Sequence, residues 1–449
     1  MDKFKNIIIG FGKAGKTLAK YLAQHDETVL LIERSKQMYG GTCINVGCLP
    51  SKNLIFNGQR GVDFTTAVNK RGEMTRQLRN KNYHMVADEP LATVWDGSAR
   101  FIDNYVLAVV MSDGKTKKVR GERIFINTGA VPNWPSIPGL EFGQRIFTSK
   151  EAMELEKQPK RLAIIGGGYI GLEFAGMFNS FGTHVTIFDQ HTRLLEREDP
   201  DIATEVVADL TDAGIEIKPA TQLTQVKDNG EKVTLYYQQG DQTNTAEFDA
   251  VLVAVGRRPN VSSLGLENTD IALTNRGAIQ VDDHLRTTVQ NIWALGDVNG
   301  GPMFTYVSLD DFRIIIDQLF GKGDRSTADR MVIPTASFLN PPLANVGLNE
   351  RQAKSAGYDL QTFKLSVKAI PKARVLENQR GLYKVIVDQK THLILGATLY
   401  AAEAHETINL IALAMKAKLP YERLRDMIYT HPTMSEALND LFKTPVVKS

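Results

Sequence analysis

Asn6-Ile7-Ile8-Ile9-Gly10-Phe11-Gly12-Lys13-Ala14-Gly15 lies at the start of the chain, and its reading decides the fold. The apolar run predicts a buried strand over 6–9. The glycines turn the chain into a helix over 16–25, and a second strand over 28–32 ends on Glu33. The pattern returns as Gly166-Gly167-Gly168-Tyr169-Ile170-Gly171, after a strand over 161–165 and before a strand over 184–188 that ends on Asp189. In both copies the acid stands 23 residues after the first glycine. Gly10 and Gly166 permit a tight turn, Gly12 and Gly168 let a pyrophosphate approach the backbone, and Gly15 and Gly171 let helix pack on strand. The pyrophosphate sits against free N–H groups at a helix N-terminus, and Glu33 or Asp189 accepts from ribose hydroxyls. The chain therefore reads as an α/β protein that binds two dinucleotides.

Ten residues past the first unit begins Cys43-Ile44-Asn45-Val46-Gly47-Cys48, which holds the only two cysteines among 449 residues. Staples usually come several to a small secreted domain, so a lone pair in a long chain reads as a redox couple or a metal site. In a regular helix these positions are about 7.5 Å apart along the axis, at the ~7 Å limit for a disulfide. Bonding requires a distorted helix, and Gly47 is placed to permit it. A structural zinc site would need histidines, and His25 and His84 are not at ligand spacing. Two thiolates suit a soft or redox-active ion held transiently, copper above all.

A hydrophobic content of 43% with 23% charged residues describes an ordinary globular chain of about three domains. The net charge of +2 gives no pull toward nucleic acid or an anionic membrane. A strand so close to the first residue leaves no room for a leader, and the most apolar stretch, 162–178, carries Glu173. The expectation is a cytoplasmic protein, where a persistent structural disulfide is unusual. Further strands are expected as a pair over 233–238 and 248–255, and over 291–295. From about residue 333 strands at 363–367, 382–388 and 393–400 precede helices at 405–418 and 421–429, which reads as a separate α+β domain.

Taken with Gly41-Thr42 before Cys43, Leu49-Pro50-Ser51-Lys52 after Cys48, Thr128-Gly129-Ala130, Val255-Gly256-Arg257-Arg258-Pro259-Asn260, Ala294-Leu295-Gly296-Asp297 and His431-Pro432-Thr433 with Glu436, the chain resembles the pyridine nucleotide–disulfide oxidoreductases along its whole length. These are flavoproteins such as glutathione reductase, lipoamide dehydrogenase and mercuric reductase. The resemblance implies two Rossmann-like dinucleotide-binding domains and a C-terminal α+β dimerisation domain. FAD would be held by 1–145 and 261–330, NAD(P)H by 146–260, and a homodimer formed through 331–449. The implied FAD-binding residues are Gly10, Gly12, Gly15, Glu33, Gly41, Thr42, Lys52, Thr128, Gly129 and Asp297. The implied coenzyme residues are Gly166, Gly168, Tyr169, Ile170, Gly171, Glu173, Asp189 and Gly256. By the same resemblance Cys43 and Cys48 form the redox disulfide, with Cys48 against the flavin and Cys43 facing substrate. Lys52 and Glu173 resemble the ion pair beside flavin N5, and Tyr169 the ring that covers the flavin until nicotinamide enters.

His431 and Glu436 resemble the family's acid–base pair, given across the dimer interface to the other subunit's disulfide. A carboxylate beside imidazole favours its charged form and fixes its tautomer. The same residues also read as a helix start, with Pro432 in the first turn and Thr433-x-x-Glu436 as a capping box. Phe304-Thr305-Tyr306-Val307 is closer to the mercuric reductase pattern, and a helix opening near Ser308 would aim its positive end at the flavin. The tail 444–449 lacks that enzyme's cysteine pair. Gly10 to Leu18, 78–82, 306–311 and 369–371 resemble a bacterial branch of the family that resists reactive chlorine, which implies oxidant defence with copper(II) as acceptor. Rival readings are a reductase of small disulfides or dihydrolipoamide-type substrates, a flavin NADH oxidase or quinone reductase, and a non-enzymatic redox sensor. Asp189 would repel a 2′-phosphate and favours NADH, although Arg193 stands near enough in sequence for NADPH. The remaining histidines, His191 and His405 among them, read as surface or packing residues.

Overall fold

The first fingerprint follows a strand, Asp2–Ile9, that pairs in parallel with Val29–Glu33 on one side and Thr116–Ile126 on the other. The computed structural model describes residues 1–443, Pro445 and Val446; Thr444 and 447–449, in the cysteine-free tail, lie outside the described residues. Alternation along these strands divides two layers of core. Ile8, Leu31 and Phe125 pack against the helices Lys13–Ala23 and Thr305–Phe320, while Ile7, Leu30 and Ile124 pack with Phe101, Leu107 and Val109. Both faces are dry, so the strands read as unbroken apolar runs, each large side chain contributing about 1.5–3 kcal/mol. Ala92–Phe101 extends the sheet in parallel and then turns antiparallel against Val106–Met111. The late strand Ile292–Ala294 returns to pair with Thr116–Ile126.

The second fingerprint belongs to another parallel sheet, ordered Glu216–Lys218, His184–Phe188, Arg161–Ile165, Ala250–Val253 and Ile146–Phe147 among the described residues. Here one expectation is corrected. The partner of Val233–Gln239 is Gln242–Phe248, not 248–255. Asp249 ends that hairpin: its carboxylate accepts from the backbone N–H of Arg161 at 2.8 Å. The following residues, Ala250–Val253, are then buried beside Leu162 to Ile165.

An antiparallel sheet carries the third unit, ordered Thr335–Ser337, Leu343–Gly347, Ile394–Tyr400, Leu382–Asp388 and Leu360–Ser366 among the described residues, with the helix Ala404–Lys416 packed on it. The helix expected over 421–429 shrinks to Glu422–Arg425. The Asn439 amide donates to the carbonyls of Arg425 and Met427 at 2.6 and 3.0 Å, and the first of these is an acceptor that a longer helix would use. No helix among the described residues is long and apolar enough to cross a membrane.

Lys384 joins the second and third units. It is 2% exposed, and its ammonium meets Asp199 at 2.8 Å, Glu350 at 2.9 Å and Asp201 at 3.1 Å. Burial alone would lower its pKa, but the three carboxylates outweigh it and raise it. Replacing Lys384 by Met leaves Asp199 buried without its cation, and the expected cost is about 3–5 kcal/mol. A thermal unfolding midpoint equal to that of the wild type would contradict this.

Candidate active site

The helix that carries the cysteines is broken between them. Thr42–Asn45 ends after Cys43, Gly47 takes φ −134° and ψ −118°, and Cys48–Gln59 begins with the second thiol. A Cβ on Gly47 would stand 2.9 Å from the carbonyl oxygen of Thr42, so the break requires glycine. Both thiols are free, and each shifts the pKa of the other. Cys43 holds Cys48, which is exposed, below the usual thiol range, against partial desolvation that pushes it up; the Thr305 hydroxyl and Lys52 ammonium add to the lowering. Cys43 is pushed up, by Cys48 and then by burial. The opposite shifts favour a protonated Cys43 beside an ionised Cys48.

Lys52 lies one turn beyond Cys48 on the same helix face. Its ammonium meets Glu173 Oε2 at 2.6 Å and stands 5.0 Å from the centre of the Phe338 ring. Glu173 Oε1 accepts from the Phe338 backbone N–H at 2.8 Å. The ion pair therefore ties the cysteine helix, the second fingerprint helix Tyr169–Ser180 and the third unit together. Thr305, whose sequence motif drew attention to its aromatic neighbours, places its hydroxyl 3.6 Å from Cys48 Sγ. The expected helix opens at Thr305, one turn before Ser308. Ser308 instead accepts from the Ala14 N–H at 3.3 Å. Phe304 and Tyr306 stack at 5.2 Å.

Both nucleotide turns have the shape their motifs demand. Gly10 and Gly166 adopt φ +104° and +103°, and a Cβ on either would strike the carbonyl of Asn127 or Ala254. Gly12 and Gly168 cap their helices without a side-chain acceptor, leaving the first N–H groups for an anion. A Cβ on Gly168 would meet open space, the cradle a pyrophosphate requires. Gly41, before Thr42, backs onto Gly12, and Gly15 and Gly171 pack against the carbonyls of Gly10 and Gly166. Glu33 accepts from the N–H of Phe11 at 3.0 Å, and burial raises its pKa. Burial also raises Asp297, with the Arg257 guanidinium opposing it. Thr128 and Asn260 exchange hydrogen bonds at 2.8 and 3.2 Å, closing the crossover beside Gly129 and Gly256. Ile170 packs into the core beneath its helix. These residues fit FAD at the first turn and NAD(P)H at the second.

Three placements escaped the sequence. Asn127 is the hub of the first turn, accepting from the Gly15 N–H at 3.0 Å and donating to the Leu295 carbonyl at 2.6 Å; its position before Thr128-Gly129 was the available signal. His191, expected as a surface or packing residue, bonds Asp189, whose Oδ1 receives its ring Nδ1 at 2.6 Å and its backbone N–H at 2.8 Å. Glu198, in an irregular segment without periodicity, accepts from the Tyr169 hydroxyl.

His431 and Glu436 are joined, Nδ1 to Oε2 at 2.8 Å. The reciprocal bonds of the expected box also exist, Thr433 N to Glu436 Oε1 at 3.1 Å and Glu436 N to Thr433 Oγ1 at 3.2 Å. They close a turn, and the helix starts later, at Ala437–Leu441. Neither residue hydrogen-bonds a cysteine of its own chain among the described residues. Nor do three His, Cys, Asp or Glu side chains among them converge to hold a metal ion.

Comparison with known proteins shows the family. The family model described as pyridine nucleotide-disulphide oxidoreductase matches residues 4–311, and that of its dimerisation domain matches 333–442. The probable pyridine nucleotide-disulfide oxidoreductase RclA of Escherichia coli is 48% identical over 442 residues, 98% of this chain and 99% of that protein. A mercuric reductase of Lysinibacillus sphaericus is 34% identical over 454 residues, 97% of this chain and 82% of that one. A solved structure, the Cu(II) complex of the HOCl-induced flavoprotein disulfide reductase RclA C43S mutant from Escherichia coli, matches with TM-score 0.96 and 47% identity over 99% of both chains.

Proposed function

Since this chain belongs to the pyridine nucleotide-disulphide oxidoreductases, enzymes that use FAD and NAD(P)H, we propose that it passes electrons from NADH to copper(II) through Cys43 and Cys48. The observation that carries this reading is the broken helix at Gly47, which puts a stabilised thiolate and a protonated thiol side by side. Two soft sulfurs suit a soft or redox-active ion that arrives, is reduced and leaves. The RclA relative's structure as a Cu(II) complex supports the choice of metal.

The balance is one NADH and two copper(II) giving NAD⁺, a proton and two copper(I). Bound FAD supplies the two-electron relay between nicotinamide and disulfide. The chain's residues do the rest. Lys52 holds positive charge beside the Cys48 thiolate, Thr305 donates to it, and Cys43 faces the acceptor. His431, held by Glu436, moves protons at Cys43 of the other subunit of a homodimer. The assignment divides the chain into an FAD-binding domain of 1–145 and 261–330, an NAD(P)-binding domain of 146–260 and a dimerisation domain of 331–449. The protein would work in the cytoplasm in defence against oxidants.

The test is anaerobic consumption of NADH with copper(II), corrected for the uncatalysed reaction. Turnover supports the reading; a negligible rate beside rapid reduction of a small disulfide would overturn the metal. A coenzyme prediction accompanies it. Asp189, fixed by Gly167 and His191, is a carboxylate at the end of its strand, which disfavours a 2′-phosphate. NADH should give the higher kcat/KM, and Asp189→Ala should narrow the preference by about tenfold. An unaltered ratio would show that selection lies elsewhere.

A further inference from the structure

Tyr169 is the first residue of its helix, and its ring is 42% exposed. Its hydroxyl donates to Glu198 Oε1 at 2.5 Å. Glu198 is only 7% exposed, although it lies in an irregular segment. A carboxylate so placed requires polar partners, and its other partner comes from the third unit: Asn345 Nδ2 donates to the same oxygen at 3.2 Å. Asn345 is itself set by Thr398, whose hydroxyl donates to Asn345 Oδ1 at 2.7 Å from the neighbouring strand. The adjoining residues are tied to the same unit. The Arg197 carbonyl accepts from Asn349 at 2.7 Å, and Asp199 pairs with Lys384. Glu198 thus stands on a mount bolted to the third unit at consecutive residues, while Tyr169 projects from the second.

We propose that Glu198 is a positioning residue that latches Tyr169 in its covering orientation, and that the latch is anchored through Asn345 in the dimerisation domain. The inference rests on the reading of Tyr169 as the ring that covers the flavin. Swinging the ring aside breaks a hydrogen bond to a buried carboxylate, so the covered state is favoured. Nicotinamide then enters only from the minor uncovered state, and its apparent affinity falls by that fraction. Loss of the latch therefore tightens coenzyme binding instead of weakening it, an outcome that damage to a binding residue does not give.

The experiment is rapid anaerobic mixing of the oxidised holoenzyme with NADH, following flavin bleaching to obtain a Kd and a limiting rate. Tyr169→Phe, which keeps the ring and removes only the hydroxyl, should lower Kd by about fivefold, the scale of one net hydrogen bond. Glu198→Ala should match it, and the double variant should gain nothing more. Glu198→Gln retains the accepting oxygen and should stay within about twofold of wild type. Asn345→Ala should lower Kd by a smaller factor. A normal Kd in Tyr169→Phe, with a lowered one in Tyr169→Ala, overturns the latch while the cover stands. A normal Kd in Tyr169→Ala overturns the cover and the latch with it. Tyr169→Phe decides the matter even where Glu198→Ala does not fold, and a wild-type Kd in Asn345→Ala removes the anchoring.

Discussion

Cys43→Ser is expected to reduce NADH-dependent turnover with copper(II) by at least about a thousandfold, while NADH still bleaches the flavin. Serine keeps a hydroxyl at the position but can neither form nor open a bond to the sulfur of Cys48. The fingerprints, the Lys52–Glu173 ion pair and Thr305 are untouched, so loss confined to the acceptor step would place that step at the thiols. Cys43→Ala, which removes the donor that serine keeps, leaves a pH signature as well. Cys43 does most to lower Cys48, ahead of Thr305 and Lys52. The wild-type Cys48 thiolate is present above its depressed pKa and is lost as pH falls through it. Without Cys43 the pKa rises, and the thiolate disappears at a higher pH. Ultraviolet thiolate absorbance, followed against pH for the reduced wild type and the oxidant-free variant, checks the shift. Turnover that survives Cys43→Ser would point to chemistry at the flavin itself, as in an NADH oxidase or quinone reductase.

The second large effect concerns the proton. His431→Ala should lower acceptor turnover by about 10²–10⁴, and Glu436→Gln by less, because the imidazole remains. The side chain of His431 is 68% exposed, with Nδ1 held by Glu436 at 2.8 Å. Nearby Ile428 is 94% exposed and Met427 43%, apolar surface of the kind a second copy covers. A two-fold dimer that shares its sites makes a sharp prediction. Homodimers of Cys43→Ser and of His431→Ala are each nearly inactive. In the hybrid, one site carries both defects and the other neither. Random assortment of equal amounts should therefore recover about a quarter of wild-type activity. Co-expression with two tags isolates the hybrid, which should have half. A hybrid as inactive as its parents would show that His431 does not serve the neighbouring subunit's thiols.

Much of this was legible from the chain alone, for a local reason. A glycine that must adopt φ near +100°, a helix that starts beside it and an acid at the end of the next strand are fixed by nearby residues. So is the interruption that lets Cys43 and Cys48 meet, because Gly47 acts within one turn of helix. Where sequence reading failed, distant residues competed for the same backbone. Asn439 bonds the Arg425 carbonyl that a helix over 421–429 would use. The N–H of Arg161 donates to the Asp249 carboxylate at the point where 248–255 divides between two sheets. The spacing of glycines and cysteines determined the fold class, the two nucleotide turns and the thiol pair. Only the tertiary structure decided what tunes them: Thr305 reaches Cys48 across 257 residues, and Glu198 meets Tyr169 and Asn345 from separate units. Periodicity records which face of an element is buried; it carries no record of which distant polar group will be waiting there.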